Sequence, residues 1–558
     1  MNKKIFFYLC SLIVIIIFFL ISMPIFIGFG GTVLQSLGLF FIEESKVTFT
    51  FFKNLINLPG LKKSVFLTIF VGFLSTFISL IISQIILLKV FSSNYYLLLQ
   101  KLIIPLIAFP HVTMAVGVTF LFSSSGFFSR MYSVFFTGLE RPPNSTLFPD
   151  DYGFFLILGL ILKETPFFLL MSVNILAQFK SNLVYDLGKT LNHVSFGSWI
   201  YFIFPQLYKK LKISIIIVLI FSASVVDMSY FLAPSTPSIL SIRILELYQK
   251  NDSSNIALVS CMALFQFFVI IGLIIFWHII EIFVRKTKTL ILIIFPRTKN
   301  FVENLFFTTC FFVMSTSILC IFLCVLWAFS EIWSFPNLLP TVLTFHNFFS
   351  FANNFYTSFL NTVYISGIVS FLSCFIILLW LEVSYLINFR NKYIELVFFV
   401  PLIIPELSFL VGISYVLIKN DLNGNIFSLV YVEVLYVVPY TFLILAPAFR
   451  NIKQDYIDLG KTFQKSKLNI FLFIKLPLLS KAILLSLAVG MIVSIGLYTP
   501  VYFIGEGEIS TLSIEMINLS FSGNRKDLGV FTIIQMILPI FILGVIFYIS
   551  KIFVKWQY

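Results

Sequence analysis

Long apolar runs alternate with short polar loops from one end of the chain to the other. A helix needs about 20 apolar residues to cross the hydrocarbon layer. Runs of that order recur near 5–28, 64–90, 98–122, 153–177, 211–233, 256–284, 304–330, 358–387, 394–418, 427–448, 481–504 and 529–554. The pattern predicts about twelve transmembrane helices and no soluble domain between them. The first run follows Lys3 and Lys4. It is long for a secretory signal and lacks a small-residue cleavage site, so it reads as the first membrane helix.

The polar loops give the chain an orientation. Basic residues collect on cytoplasmic loops. Lys180, Lys189, Lys209, Lys210 and Lys212 follow the fourth run, and Arg450, Lys453, Lys461, Lys465, Lys467, Lys475 and Lys481 follow the tenth. Arg285, Lys286, Lys288, Arg297 and Lys299 lie between the sixth and seventh, and Lys551 and Lys555 close the chain. With twelve spans, all of these fall on the side of Lys3 and Lys4. Both termini are therefore expected in the cytoplasm.

Composition agrees. Of 558 residues, 59% are apolar and 11% charged, and the mean hydropathy is +1.03. A soluble chain of this size needs far more polar surface. The 72 phenylalanines suit lipid-facing helix surfaces. The net charge of +13 is carried by the short loops, which points to membrane lipid rather than to nucleic acid. Cys10, Cys261, Cys310, Cys320, Cys324 and Cys374 all sit in or beside apolar runs, without zinc-ligand spacing. His111, His193, His278 and His346 are scattered, so no metal site is expected.

The chain repeats itself. Asp186-Leu-Gly-Lys-Thr190 recurs as Asp458-Leu-Gly-Lys-Thr462, an offset of 458 − 186 = 272. At the same offset Pro205 meets Pro477, Ser214 meets Ser486, Ser222 meets Ser494, and Tyr230-Phe231 meets Tyr502-Phe503. Ser238, Leu240, Ser241 and Ile242 meet Ser510, Leu512, Ser513 and Ile514. Upstream, with small shifts, Ser64 and Thr68 match Ser358 and Thr362, Pro110 matches Pro405, and Gly117 matches Gly412. Each half then holds six spans in the same orientation, a parallel repeat. The halves are expected as residues 1–290 and 291–558, joined by the basic segment Arg285–Lys299.

The most informative element is a cytoplasmic loop that occurs once per half, at about 178–210 and 450–480. It reads Tyr185-Asp-Leu-Gly-Lys-Thr-Leu-Asn192 with Pro205 beyond it, and Ile457-Asp-Leu-Gly-Lys-Thr-Phe-Gln464 with Pro477 beyond it. This resembles the EAA loop of binding-protein-dependent ABC importer permeases, Glu-Ala-Ala, three residues, Gly, then an apolar stretch closing in Leu-Pro. Asp186 and Asp458 take the Glu position, Gly188 and Gly460 the second Ala, and Pro205 and Pro477 the closing Pro. Asn192 and Gln464 replace the usual Gly. Asn tolerates the left-handed conformation and Gln does so poorly, so the two loops are not expected to turn alike. Two permease units fused in one chain are similar to the ferric-iron and thiamine importer permeases. Leu162-Lys-Glu-Thr-Pro-Phe167 and Phe204-Pro-Gln-Leu-Tyr208 also resemble a fused-permease branch related to them.

The resemblance implies an all-α fold of two tandem six-helix type I ABC importer permease units. It implies a bacterial cytoplasmic (inner) membrane, two copies of a separate ATPase subunit gripping the two loops, and a periplasmic or lipid-anchored solute-binding protein outside. Asp186, Gly188, Thr190, Asn192 and Pro205, with Asp458, Gly460, Thr462, Gln464 and Pro477, would couple to the ATPase. The physical logic is independent of the name. A negative charge near a helix N-terminus suits the dipole, Gly allows close backbone approach, and Asp186 and Thr190 share one face at i,i+4. The aromatic run Trp199, Phe202 and Phe204 would lead through the interface into the next span.

Gly188-Lys-Thr and Gly460-Lys-Thr look like the end of a phosphate-binding loop, but Leu183 and Asp455 stand where that loop needs a further Gly. No ATP is expected on this chain, and no enzymatic activity. Charges inside spans are candidates for function. Lys163 and Glu164 precede Pro166, Asp227 lies among Ser222, Ser224 and Ser229, and Glu433 precedes Pro439. Glu164, Ser222, Asp227, Glu433, Ser494 and Thr499 are the candidates for the solute path. An ion-gradient-driven secondary transporter would also have twelve spans in two halves, but gives no reason for a repeated cytoplasmic loop.

Overall fold

The computed structural model describes residues 3–39, 47–91, 93, 95–143, 148–177, 199–250, 253–294, 300–463 and 465–555. Asp186, Gly188, Thr190, Asn192 and Gln464 lie outside the described residues. Among the described residues the fold is helical apart from one two-stranded antiparallel pair. In chain order the helices used below are α1 (Lys3–Ser36), α2 (Leu61–Val90), α3 (Tyr96–Ala108), α4 (His111–Phe122), α5 (Phe127–Tyr132), α6 (Phe154–Leu176), α7 (Phe204–Ser224), α8 (Asp227–Leu232), α9 (Leu240–Tyr248), α10 (Ser253–Ile294) and α11 (Asn300–Phe329). The pair β1 (Ser330–Ile332) and β2 (Val342–Leu343) follows. Then come α12 (Tyr356–Leu386), α13 (Val400–Ile403), α14 (Glu406–Lys419), α15 (Ile426–Arg450), α16 (Gln454–Thr462), α17 (Lys467–Ile470), α18 (Leu476–Gly496), α19 (Thr499–Gly505), α20 (Leu512–Ser522) and α21 (Arg525–Lys555).

Among the described residues ten helices are long and apolar enough to cross a membrane, or eleven if a pair bent by 91° between Tyr393–Ile403 and Glu406–Lys419 is one span. The protein is thus an all-α, multi-pass integral membrane protein. The difference from twelve lies in the expected span 211–233, which is α7 followed by a break and the short α8. Lys209, Lys210 and Lys212 in the first half of α7 dilute the apolar character of that helix.

Several expected spans are broken rather than straight. Proline removes a helical N–H and disfavours α conformation in the residue before it. Phe109 and Pro110 are accordingly extended between α3 and α4, and Ile404 and Pro405 between α13 and α14. These two prolines are the pair matched in the repeat. A second break separates α7 from α8 after Ser224, and α18 from α19 after Gly496.

Contacts divide the chain into two compact units that do not coincide with residues 1–290 and 291–558. One, the N-unit, comprises Phe41–Phe351 and Leu519–Ile533; the other, the C-unit, comprises Met1–Phe40, Ala352–Asn518 and Ile534–Tyr558. In the N-unit, α2, α6 and α7 pack together, and α11 lies against α4. A Cβ on Gly117 would come within 2.6 Å of the Cys320 Cβ, so the glycine sets that approach. In the C-unit, α12, α15 and α18 pack together, and α1 lies against α14. Here a Cβ on Gly412 would collide with the Gly28 carbonyl oxygen, and Thr32 donates to the Ser408 carbonyl at 2.9 Å. Small residues let membrane helices approach this closely.

The sequence repeat is reproduced in the backbone. A π-helical turn at Trp199–Ile203 runs into α7, and one at Phe471–Lys475 runs into α18, 471 − 199 = 272 residues later. The starts of α9 and α20, and of α10 and α21, keep the same spacing. One hydrogen bond is repeated as well. The Leu240 amide donates to the Thr68 hydroxyl at 3.1 Å, and the Leu512 amide to the Thr362 hydroxyl at 2.9 Å.

Candidate functional site

The second of the two repeated loops is a short helix, α16, followed by α17 and the π-helical turn. Its two faces differ. Ile457 and Gly460, three residues apart, are buried. A Cβ on Gly460 would lie 2.6 Å from Ile474 Cδ1 and 3.1 Å from Ile470 Cγ1, so this glycine lets α16 seat on the turn. The other face is open and apolar: Tyr456 is 47% exposed, Leu459 56% and Phe463 75%.

Asp458 does not sit in the first turn, where Asp455 stands instead. Its Oδ1 accepts from Lys461 Nζ at 2.8 Å and from Gln454 Nε2 at 3.3 Å. Those two hydrogen bonds, Lys461 first, hold the Asp458 carboxyl below its ordinary range, and the same contact raises Lys461. Thr462 turns its hydroxyl to the Leu459 carbonyl at 2.7 Å. Pro477 occupies the first turn of α18, where a missing N–H costs nothing, and Pro205 does the same in α7.

Beneath this helix lies an ion pair that the sequence reading did not single out. Lys475 Nζ is 2.6 Å from Glu382 Oε2, with side chains 2% and 9% exposed. The ammonium also lies 3.8 Å from the Tyr385 ring centroid. The Tyr385 hydroxyl in turn donates to Gln454 Oε1 at 3.2 Å. The signal in the sequence was a Glu inside an apolar run, at Glu382, and a Lys directly before Leu476-Pro477.

The candidates for the solute path gather where the helices break. In the N-unit, Lys163 Nζ donates to the Ile107 carbonyl at 2.9 Å and to that of Phe109. It therefore satisfies carbonyls that the α3–α4 break leaves without helical partners. Glu164 meets His111, the first residue of α4, at 3.3 Å. Asp227, the first residue of α8, accepts from the Met228 amide at 2.8 Å and is acted on electrostatically by His111 and Lys163. Ser222 is buried with its hydroxyl unpartnered. Of the adjacent pair, Lys163 thus holds backbone and Glu164 meets a side chain of α4.

In the C-unit the equivalent junction is lined differently. Glu406, the first residue of α14, accepts from the hydroxyl of Thr499, the first residue of α19. Glu433 is buried and accepts from Ser494. Thus Glu433 joins Ser494, Glu406 joins Thr499, and Glu164 joins the neighbourhood of Asp227, each within its own unit. Among the described residues no three His, Cys, Asp or Glu side chains converge on a point that could hold a metal ion.

A second unsuspected element is Arg130 in α5. Its guanidinium donates to the carbonyls of Ser125 (3.0 Å), Ser334 (2.8 Å), Asn337 (2.7 Å) and Trp333 (3.2 Å). The Trp333 ring lies 4.8 Å away. This pins the β1–β2 segment.

No solved structure matches the chain, and no family model does. The chain is similar to the inner membrane ABC transporter permease protein YnjC of Escherichia coli (strain K12), 24% identical over 461 residues. The match covers 81% of this chain and 80% of that protein, so it extends over both halves of the chain rather than one. By sequence, and with the repeated helix geometry in view, this chain is similar along most of its length to a permease of the ATP-binding-cassette class.

Proposed function

We propose that this chain is the transmembrane permease subunit of an ATP-binding-cassette importer in the bacterial inner membrane. One observation carries the reading. A short helix on the side that the basic loops assign to the cytoplasm is seated through a glycine and turns an apolar face outward. Exposed apolar patches of this kind mark interaction surfaces. The matching positions in the first copy, Val184, Leu187 and Leu191, are apolar too. The name of the similar Escherichia coli protein supports the same reading.

In this proposal two ATPase subunits dock on the loops at 178–210 and 450–480 and do the ATP chemistry, which this chain lacks. A binding protein delivers solute to the opposite face, and both termini are cytoplasmic. Nucleotide-driven closure of the ATPase pair moves the two loops and switches the path between inward-open and outward-open. Glu164, Ser222 and Asp227 in one unit, and Glu433, Ser494 and Thr499 in the other, line that path at the helix breaks. Ferric iron, thiamine and other small solutes are the candidates that the family resemblance offers.

The test is capture of the motor. The tagged chain, extracted in mild detergent from its native membrane, is expected to bring an ABC ATPase with it. Replacing Gly188 and Gly460 together by Trp is expected to release the ATPase while the permease stays in the membrane. A chain that never carries an ATPase, or carries one regardless of both substitutions, overturns the reading.

A further inference from the structure

Each half of the chain brings a long membrane helix, α2 or α12, toward the π-helical turn before the closing proline. In the second half that joint is polar, made of Glu382 and Tyr385 on α12 and Lys475 in the turn. The register that pairs Ser64 with Ser358 (358 − 64 = 294) places Glu382 on Leu88 and Tyr385 on Phe91. The register that pairs Pro205 with Pro477 (477 − 205 = 272) places Lys475 on Ile203. The first half therefore holds Leu, Phe and Ile where the second holds an acid, a phenol and an ammonium. Leu88 and Ile203 are buried, and the Phe91 ring meets Trp199 edge-on at 5.6 Å.

We propose that Glu382, Tyr385 and Lys475 are positioning residues that fasten the second docking helix to α12 by directed bonds, whereas the matched positions of the first half carry the apolar Leu88, Phe91 and Ile203. The proposal rests on the coupling role given to these loops above. Apolar burial is non-directional, so an apolar joint lets two helices slide a little at small cost. A buried pair at 2.6 Å does not, because separating the charges in dry surroundings is expensive. From Gln454 in α16 the bonds run through the Tyr385 hydroxyl and ring to Lys475 and on to Glu382. A displacement imposed on α16 then reaches α12 without slack. Replacing a buried pair by apolar residues of similar size is often no loss of stability. The first half carries buried apolar side chains at the matched positions Leu88 and Ile203. The polar joint is thus selected for its geometry, and the two halves transmit motion unequally.

The test uses the permease–ATPase complex as purified from membranes. Hydrogen exchange across Tyr356–Leu386 is compared without nucleotide and with the ATPase trapped by ATP and vanadate. The unaltered complex is expected to change its exchange in α12 on trapping. Glu382→Leu with Lys475→Ile, which copies the first half, is expected to keep its melting temperature and its ATPase and to lose that change. Tyr385→Phe, a milder variant, is expected to weaken it. The exchanged pair Glu382→Lys with Lys475→Glu is expected to restore it. An apolar double variant that folds, binds ATPase and responds like the unaltered complex overturns the proposal, as does a normal response from both it and Tyr385→Phe. If no ATPase accompanies even the unaltered chain, the importer reading falls first and this one with it.

Discussion

Gly460 lies where the Cδ1 of Ile474 would stand 2.6 Å from an added Cβ. That atom is the tip of a flexible side chain, so a single methyl can be met by a rotamer change. A branched or long residue has no such room and must lift α16 off the turn. Overpacking of this kind costs about 1–3 kcal/mol, enough to displace a short surface helix. Gly460→Ala is therefore expected to keep nearly all ATPase capture and Gly460→Leu to lose most of it, at equal permease yield. The check is the ratio of ATPase to permease after co-purification.

Asp458 gives a prediction about pH. Its carboxyl is depressed by the Lys461 and Gln454 hydrogen bonds, and Lys461 is raised by Asp458. A depressed acid contributes its stabilisation above its unfolded value and loses it as pH falls through the folded one. A raised lysine contributes below its unfolded value and loses it as pH rises through the folded one. Between about pH 5 and 9 both are charged. ATPase capture is expected to be flat across that window and to weaken outside it, on the acid side as Asp458 protonates and on the alkaline side as Lys461 loses its proton. Capture that titrates near pH 7 would count against the Asp458–Lys461 contact.

The parts that were legible in the sequence are those written in local pattern. Apolar runs gave the helices, and the 272-residue offset gave the repeat that the π-helical turns and α7 and α18 reproduce. Pro110 and Pro405 were visible as a matched pair, yet each run around them reads as one span, because hydropathy does not register a bend. Contacts between distant segments were not legible. Nothing near Gly412 announces that Gly28 will lie against it. Lys475 looked like one more cytoplasmic lysine, and Glu382, inside an apolar run, had no visible partner until the fold joined them. The first docking loop was the strongest sequence signal, and its residues Asp186 to Asn192 lie outside the described part of the structure.

Arg130 shows the same limit and supports its own prediction. Four carbonyls accept from one planar guanidinium, three of them from the segment Trp333–Asn337. Lysine lacks that fork. Methionine would leave buried acceptors unmet, at about 1–3 kcal/mol each. Arg130→Met is expected to speed amide exchange at Thr341 and Thr344, whose N–H groups bond back to Ile332 and Phe329. Arg130→Lys should fall between, and exchange in α6 should not move. Uniform acceleration across the N-unit would mean that Arg130 holds the fold rather than the segment.

Ser494 and Ser222 occupy matched positions, yet only one of them is engaged. Ser494 donates to Glu433, six residues before Pro439. Six residues before Pro166 stands Leu160, also buried, and the Ser222 hydroxyl has no partner. Ser494→Ala strips a buried carboxyl of its hydroxyl donor and is expected to cost about 1–3 kcal/mol. Ser222→Ala removes a buried, unpartnered hydroxyl and is expected to leave the melting temperature in detergent unchanged or raise it. The two melting curves check this directly, and the reverse order would refute the pairing. Uptake separates structure from transport at Ser222. A Ser222→Ala protein of normal stability that no longer transports would place this hydroxyl on the solute path, since its removal breaks no bond within the protein. A protein that transports normally would remove Ser222 from that path and leave the acids at the helix breaks to line it.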